Sequence, residues 1–224
     1  MLDVVNRLAD GFVAIPVIEA CRRCGLFSAM SSGPKSAARL AHEFRANEGH
    51  LRVALRLLEG LGWVDGSAAD TFRLSPLGEA QTGAIPSDLH EMLAGLPDDV
   101  SSGAPGLAGW LRRCASGWAD HEAPHPMADL LDGALLVPVL GELSRRGGAR
   151  TLDPGEDPFG PDSTVELLRL FEARGWAEIG PHEPRPRLNQ AGAYLVESGA
   201  KLGVTLSYWR MLRQMDTLLF GNAA

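Results

Sequence analysis

The chain says the same thing twice. Residues 7–25 read RLADGFVAIPVIEACRRCG and residues 130–147 read LLDGALLVPVLGELSRRG. Leu8, Asp10, Gly11, Pro16, Val17, Arg23 and Gly25 recur 122 positions later as Leu130, Asp132, Gly133, Pro138, Val139, Arg145 and Gly147. A second block follows in the same order, LRLLEGLGWVD at 55–65 and LRLFEARGWAE at 168–178, now 113 positions apart. A weaker third sets Leu74 and Gly78 against Leu188 and Gly192, 114 apart. Three colinear blocks imply a duplicated unit, with the fall from 122 to 113 reading as a deletion in the second copy. The 224 residues therefore divide into lobe one (1–95), a connecting segment (96–125), lobe two (126–200) and a tail (201–224).

The spacing predicts what each lobe contains. Val13, Val17, Ile18 and Cys21 give a helical apolar face over 12–24, with Pro16 inside it as a bend and Gly25 as the stop. Short helices are expected over 37–44 and 48–61, the second lined by Leu51, Ala54, Leu55, Leu58 and Leu61. Trp63 and Val64 open a hairpin whose polar turn is DGSAAD and whose return strand is TFRLS. Ser75 followed by Pro76 caps the next helix. Three helices and a two-stranded wing make a winged helix-turn-helix. Lobe two keeps the long helices and the Gly-Trp corner, but HEPRP stands in place of the wing turn and 149–161 in place of the short second helix. The expected fold is mainly α: tandem winged-helix-like lobes with small β-hairpins, a C-terminal helix and no Rossmann core.

Between the lobes, helices are expected near 87–94 and 107–118, with loops at 96–106 and 119–126. Over 200–221, Leu206, Trp209, Leu212, Met215, Leu218 and Leu219 recur at roughly helical spacing. They predict one terminal helix with a strong apolar face, which needs something to pack on. These six are the candidate docking residues.

Charge and motifs narrow the function. Lys+Arg 21 against Asp+Glu 28 gives a net charge of −7, a poor basis for general capture of nucleic acid or anionic membrane. No run reaches the length of a membrane span, and the acidic amino terminus lacks the basic start of a signal peptide. A cytoplasmic protein is expected, and three cysteines fit a reducing compartment. Cys21 and Cys24 form a CxxC inside a helix, without a strand leading into a helix start, and read with Cys114 as buried structural thiols. HEAPH at 121–125 satisfies the letters of a zinc-protease motif, but Pro124 breaks the helix that would align both histidines. It reads as an exposed polar loop. No GxGxxG follows a strand, and neither GxxxxGK[ST] nor GxSxG occurs. No catalytic residue, metal ligand or cofactor is expected from these motifs.

The winged-helix reading raises DNA binding. The helix at 48–61 offers His50, Arg52 and Arg56 beside Glu48 and Glu59, while its counterpart at 163–174 offers Arg169 and Arg174 beside Glu166 and Glu172. Neither is a clear phosphate-positioning surface, and the wing turn is acidic. Nucleic acid is the weaker partner class.

The pieces VIEACRRCGLFSAM (17–30), LRVALRLLEGLGWVD (51–65) and FRLSPLGEAQ (72–81) together resemble the winged-helix region ahead of the core in class I S-adenosylmethionine-dependent methyltransferases of the polyketide-synthase type. The tail TLSYWRMLRQMDTLLFG (205–221) resembles the helical segment that leads into such a core. The sequence reaches Ala224 without the glycine-rich loop of that core, so no methyl-donor site carries over. The resemblance is nearest to the adaptor region preceding a GNAT-like domain in polyketide synthase loading modules. It implies a noncatalytic adaptor with an adjacent GNAT-like or methyltransferase domain as partner. Two other readings stay open: the substrate-lid and dimerisation part of an active methyltransferase, and a winged-helix DNA-binding regulator.

Overall fold

A computed structural model describes residues 2–96, 106–119, 125–152, 157–180 and 186–221. Lobe one runs α1 (Leu2–Cys24), α2 (Leu26–Ser31), β1 (Lys35–Ser36), α3 (Ala37–Phe44), α4 (Glu48–Gly60), β2 (Val64–Gly66), β3 (Thr71–Leu74) and α5 (Pro76–Gly83). Then come α6 (Leu89–Ala94) and α7 (Leu107–Ala119). Lobe two runs α8 (His125–Arg146), a 3-10 turn (Gly148–Leu152), α9 (Pro161–Ala173), β4 (Ala177–Glu178), β5 (Arg187–Leu188) and α10 (Gln190–Ser198). A second 3-10 turn (Gly199–Leu202) leads to α11 (Gly203–Ser207), α12 (Trp209–Leu212) and α13 (Met215–Phe220). Both sheets are antiparallel, and the mainly α, winged-helix architecture is the one the sequence predicts.

Two compact units emerge. One holds Val13–Ile85 with Ala123–Ala128 and the segment from Trp209 onward; the other holds Asp129–Tyr208 with Met1–Phe12 and Pro86–Glu122. The first contains the winged helix of lobe one. The second contains that of lobe two, packed on α7 and the first half of α1.

In lobe one, Asn47 caps α4 by accepting the His50 N–H at 3.1 Å, and Gly62, at φ 75°, turns the chain out of it. That turn lets the Trp63 N–H reach the Leu58 carbonyl at 2.9 Å. Trp63 is buried against Phe27, with ring centroids 5.9 Å apart. The wing registers Val64 on Leu74 and Gly66 on Phe72, and β1 adds an outer strand with Lys35 on Phe72. Two residues are too few to show an alternation, which is why the sequence did not reveal β1. Ser75 closes the corner. Its hydroxyl donates to the Gly62 carbonyl at 2.6 Å and accepts the Gly78 N–H at 2.9 Å.

Lobe two repeats this corner bond for bond. Gly175, at φ 69°, lets the Trp176 N–H reach the Phe171 carbonyl at 2.8 Å. Asn189 takes the place of Ser75, donating to the Gly175 carbonyl at 2.7 Å and accepting the Gly192 N–H at 3.0 Å. In both lobes the helix after the wing lies so close to the tryptophan that a Cβ on Gly78 or Gly192 would overlap the Trp63 or Trp176 carbonyl oxygen. Trp176 meets Phe171 edge-on at 5.7 Å.

The long repeated helices cross reciprocally within the lobe-two unit. A Cβ on Gly11 would overlap the Leu130 carbonyl, and a Cβ on Gly133 would overlap the Leu8 carbonyl. Since Gly133 and Leu130 are the repeat partners of Gly11 and Leu8, α1 and α8 meet about a local two-fold, the geometry of an isologous dimer contact inside one chain.

The tail differs from the single helix that its apolar spacing predicts. The Ser207 hydroxyl donates to the Val204 carbonyl at 2.6 Å, and the Tyr208 N–H turns instead to Thr205 at 3.2 Å. A side chain that competes for its own helix carbonyl ends α11 there. A second break precedes α13, where the Gln214 N–H bonds to Met211 at 3.0 Å. Three short helices result, with the first in a different unit from the other two.

Candidate docking surface

A winged helix reads DNA by laying the N-terminal end of its third helix in the major groove, with cations free for phosphate. In lobe one that end is already occupied. The Asn47 N–H donates to the Leu219 carbonyl at 2.9 Å, and His50 Nδ1 lies 2.8 Å from the Leu218 carbonyl. A carbonyl only accepts, so His50 carries its proton on Nδ1 in this contact. The cations of α4 are engaged as well. Arg52 pairs with Glu48 at 2.8 Å and Asp70 at 2.6 Å; Arg56 pairs with Glu59 at 2.6 Å and lies over the Phe72 ring at 5.0 Å. On the wing, Arg73 pairs with Asp65 at 3.0 Å.

The corresponding helix of lobe two is closed more fully. Ser163, Thr164, Glu166, Leu167, Leu168, Leu170 and Phe171 are all buried. The Arg112 guanidinium of α7 donates to Glu166 at 2.9 and 3.1 Å, so α7 lies over this face. Arg169 also pairs with Glu166, at 3.3 Å. Arg174 bonds both carboxylate oxygens of the buried Asp132 at 2.9 Å. Burial lifts the Asp132 carboxyl to about 6 despite the opposing charge of Arg174.

What lobe one leaves open is apolar. Val13 and Val17 from α1, His50, Val53, Ala54 and Leu57 from α4, and Met211, Leu212, Met215, Leu218 and Leu219 from the tail enclose a cleft of about 260 Å³. Val53 is 70% exposed and Met211 44%, so its mouth is an apolar patch facing water. Four of the six predicted docking residues, Leu212, Met215, Leu218 and Leu219, are brought together here. Leu212 and Leu219 are buried. Trp209 lies beside them in sequence under the Arg213 guanidinium, 5.5 Å from its ring centre. Leu206 does not join them: it packs on Gly141 of α8 in the other unit. Sequence reasoning missed the α4 wall, whose signal was Val53, an apolar residue on a helix face otherwise occupied by His50, Arg52 and Arg56.

The cysteines are free thiols; Cys21 and Cys114 are buried as expected, whereas Cys24 is only half-buried. Desolvation raises Cys21 well above its ordinary value, Cys24 to about 11 and Cys114 to about 12. Cys24 Sγ donates to the Cys21 carbonyl at 3.2 Å. Residues 121–124 of the HEAPH string lie outside the described residues, as do 182–185 of the HEPRP turn. Among the described residues, no three His, Cys, Asp or Glu side chains gather as metal ligands, and no helix is long and apolar enough to cross a membrane.

Residues 1–66 match the protein family described as the AprA N-terminal domain, and residues 132–222 match the AprA winged helix domain. The second match covers lobe two and the tail, where the Gly-Trp corner and hairpin are found. No curated protein matches the chain.

Proposed function

We propose that this chain is a protein-docking module, the winged-helix front end of a larger catalytic assembly, and that its helix-turn-helix units serve as scaffold rather than as DNA readers. The observation that carries this is the condition of the two reading helices. One has its N-terminal end bonded to the tail and its arginines paired with Glu48, Glu59 and Asp70; the other lies beneath α7. A groove-reading helix gains affinity by releasing counterions from phosphate, and arginines already held by carboxylates gain little that way. Matches to a domain named N-terminal and to a winged helix domain, both of AprA, support a front-end role.

The resemblance of 17–30, 51–65 and 72–81 to methyltransferase front ends supplies the kind of neighbour. In this reading a GNAT-like acyltransferase domain of a polyketide synthase loading module, or a methyltransferase core, docks on the chain, which acts as noncatalytic adaptor. A second reading, the substrate lid of an active methyltransferase, draws on the apolar cleft, since a lid needs an apolar surface to close over a reaction site. Mixing the chain with each candidate domain and measuring mass by light scattering tests the docking role, with a stoichiometric complex expected. Methyl transfer from S-adenosylmethionine that rises when the chain is joined to the core favours the lid. Salt-dependent binding to random duplex DNA, measured by fluorescence anisotropy, would overturn both in favour of a regulator.

A further inference from the structure

The duplication shows the cleft surface a second time with an occupant in place. Setting α4 on α9 at the spacing of 113 puts His50, Val53 and Leu57 opposite Ser163, Glu166 and Leu170. In lobe two those three are only 7%, 6% and 3% exposed, and Arg112 of α7 grips the middle one. The buried residues of α7, Leu107, Trp110, Leu111 and Cys114, stand at i, i+3, i+4 and i+7, the anchor spacing of a helix laid in a groove. In lobe one the same face is covered only in part by α12 and α13, and the cleft of about 260 Å³ remains.

We infer that the α1–α4–tail cleft of lobe one receives a single amphipathic helix from the docked protein, as α9 receives α7 in lobe two. The inference rests on the docking reading above and adds the chemistry of the partner. Val53 stands where lobe two has Glu166, so the incoming helix presents an apolar side chain where α7 presents Arg112. Met211 and Met215 in the lining let the cleft adapt to the anchors.

The probe is a synthetic helix of 13 residues, the length of α7, with leucine at i, i+3, i+4 and i+7 and polar residues elsewhere. A counterpart with serine in place of the four leucines serves as control. Binding to the full chain is read by fluorescence anisotropy and by the methyl signals of Met211 and Met215. The leucine helix is expected to bind and to shift both methyls. Val53→Glu and Met211→Glu, both at exposed positions that the fold tolerates, weaken it about tenfold or more, the scale of an interface anchor. Val204→Glu, on α11 in the other unit, leaves it unchanged. Absence of binding, equal binding to Val53→Glu, or equal binding of the serine helix overturns the inference. So does a concentration-dependent dimer abolished by Val53→Glu, which would make a second copy the occupant. If a neighbouring domain binds wild type and Val53→Glu alike, the docking reading stands and this cleft is not its seat.

Discussion

Lobe one and lobe two share a corner and differ in what lies over it. Gly62, Trp63, Ser75 and Gly78 make the same hydrogen bonds as Gly175, Trp176, Asn189 and Gly192. Yet α4 keeps an apolar face open to water, whereas α9 is covered by α7. Backbone geometry survives duplication because a left-handed glycine and a capping side chain are local requirements, met by few residue types. The outer face of the third helix answers only to its neighbours. The lesson is that one fold has become two surfaces, and the divergence lies where a reading helix would have met DNA.

The comparison can be broken first at the tryptophans. Trp63 is 2% exposed and Trp176 only half-buried, so Trp63→Ala is expected to cost about 3–5 kcal/mol and Trp176→Ala roughly half that. Denaturant unfolding of each variant checks it, and equal losses would mean that the two corners are packed alike. The reciprocal crossing comes next. Gly11→Ala and Gly133→Ala each push a methyl into a backbone carbonyl and should cost about 2–3 kcal/mol, nearly equally, because each glycine plays the other's part. Clearly unequal melting losses would sink the local two-fold.

A smaller effect separates Asp132 from its repeat partner, the exposed Asp10. Asp132 titrates near 6 when folded, above an unfolded aspartate at about 3.9, so the folded state holds the extra proton between those values. Its contribution is present in full at low pH and is lost as pH rises through that window. Unfolding measured from pH 4 to 7 should show this falling component in wild type and in Asp10→Asn, and lack it in Asp132→Asn. A slope unchanged in Asp132→Asn would assign the titration elsewhere. The smallest test borrows from lobe two, which has Ala173 where lobe one has Gly60. A Cβ at Gly60 meets nothing within 4 Å, and Gly60→Ala should stabilise by about 0.5–1 kcal/mol on thermal melting.

Much of the fold was legible because its signals are short-range. The spacing over 37–44 is α3 residue for residue, Ser75 caps as its type suggests, and Gly62 and Gly175 turn where a helix has to stop. The site was legible only in part. Leu212, Met215, Leu218 and Leu219 do gather, but Leu206 packs elsewhere, because the Ser207 hydroxyl takes a carbonyl that a continuous helix would have used. β1 stayed hidden because two residues carry no period, and its pairing with β3 is a long-range bond.

The sequence alone determined that the unit is duplicated and that each copy turns a corner at a Gly-Trp pair. Those features depend on residue types at fixed local spacing. Only the tertiary structure decided which faces are spent and which remain open. That α7 lies over α9, that the tail bonds the start of α4, and that Val53 faces water depend on packing between segments far apart in the chain. Burial is a property of neighbours, and an amphipathic pattern states that a face needs covering without stating by what.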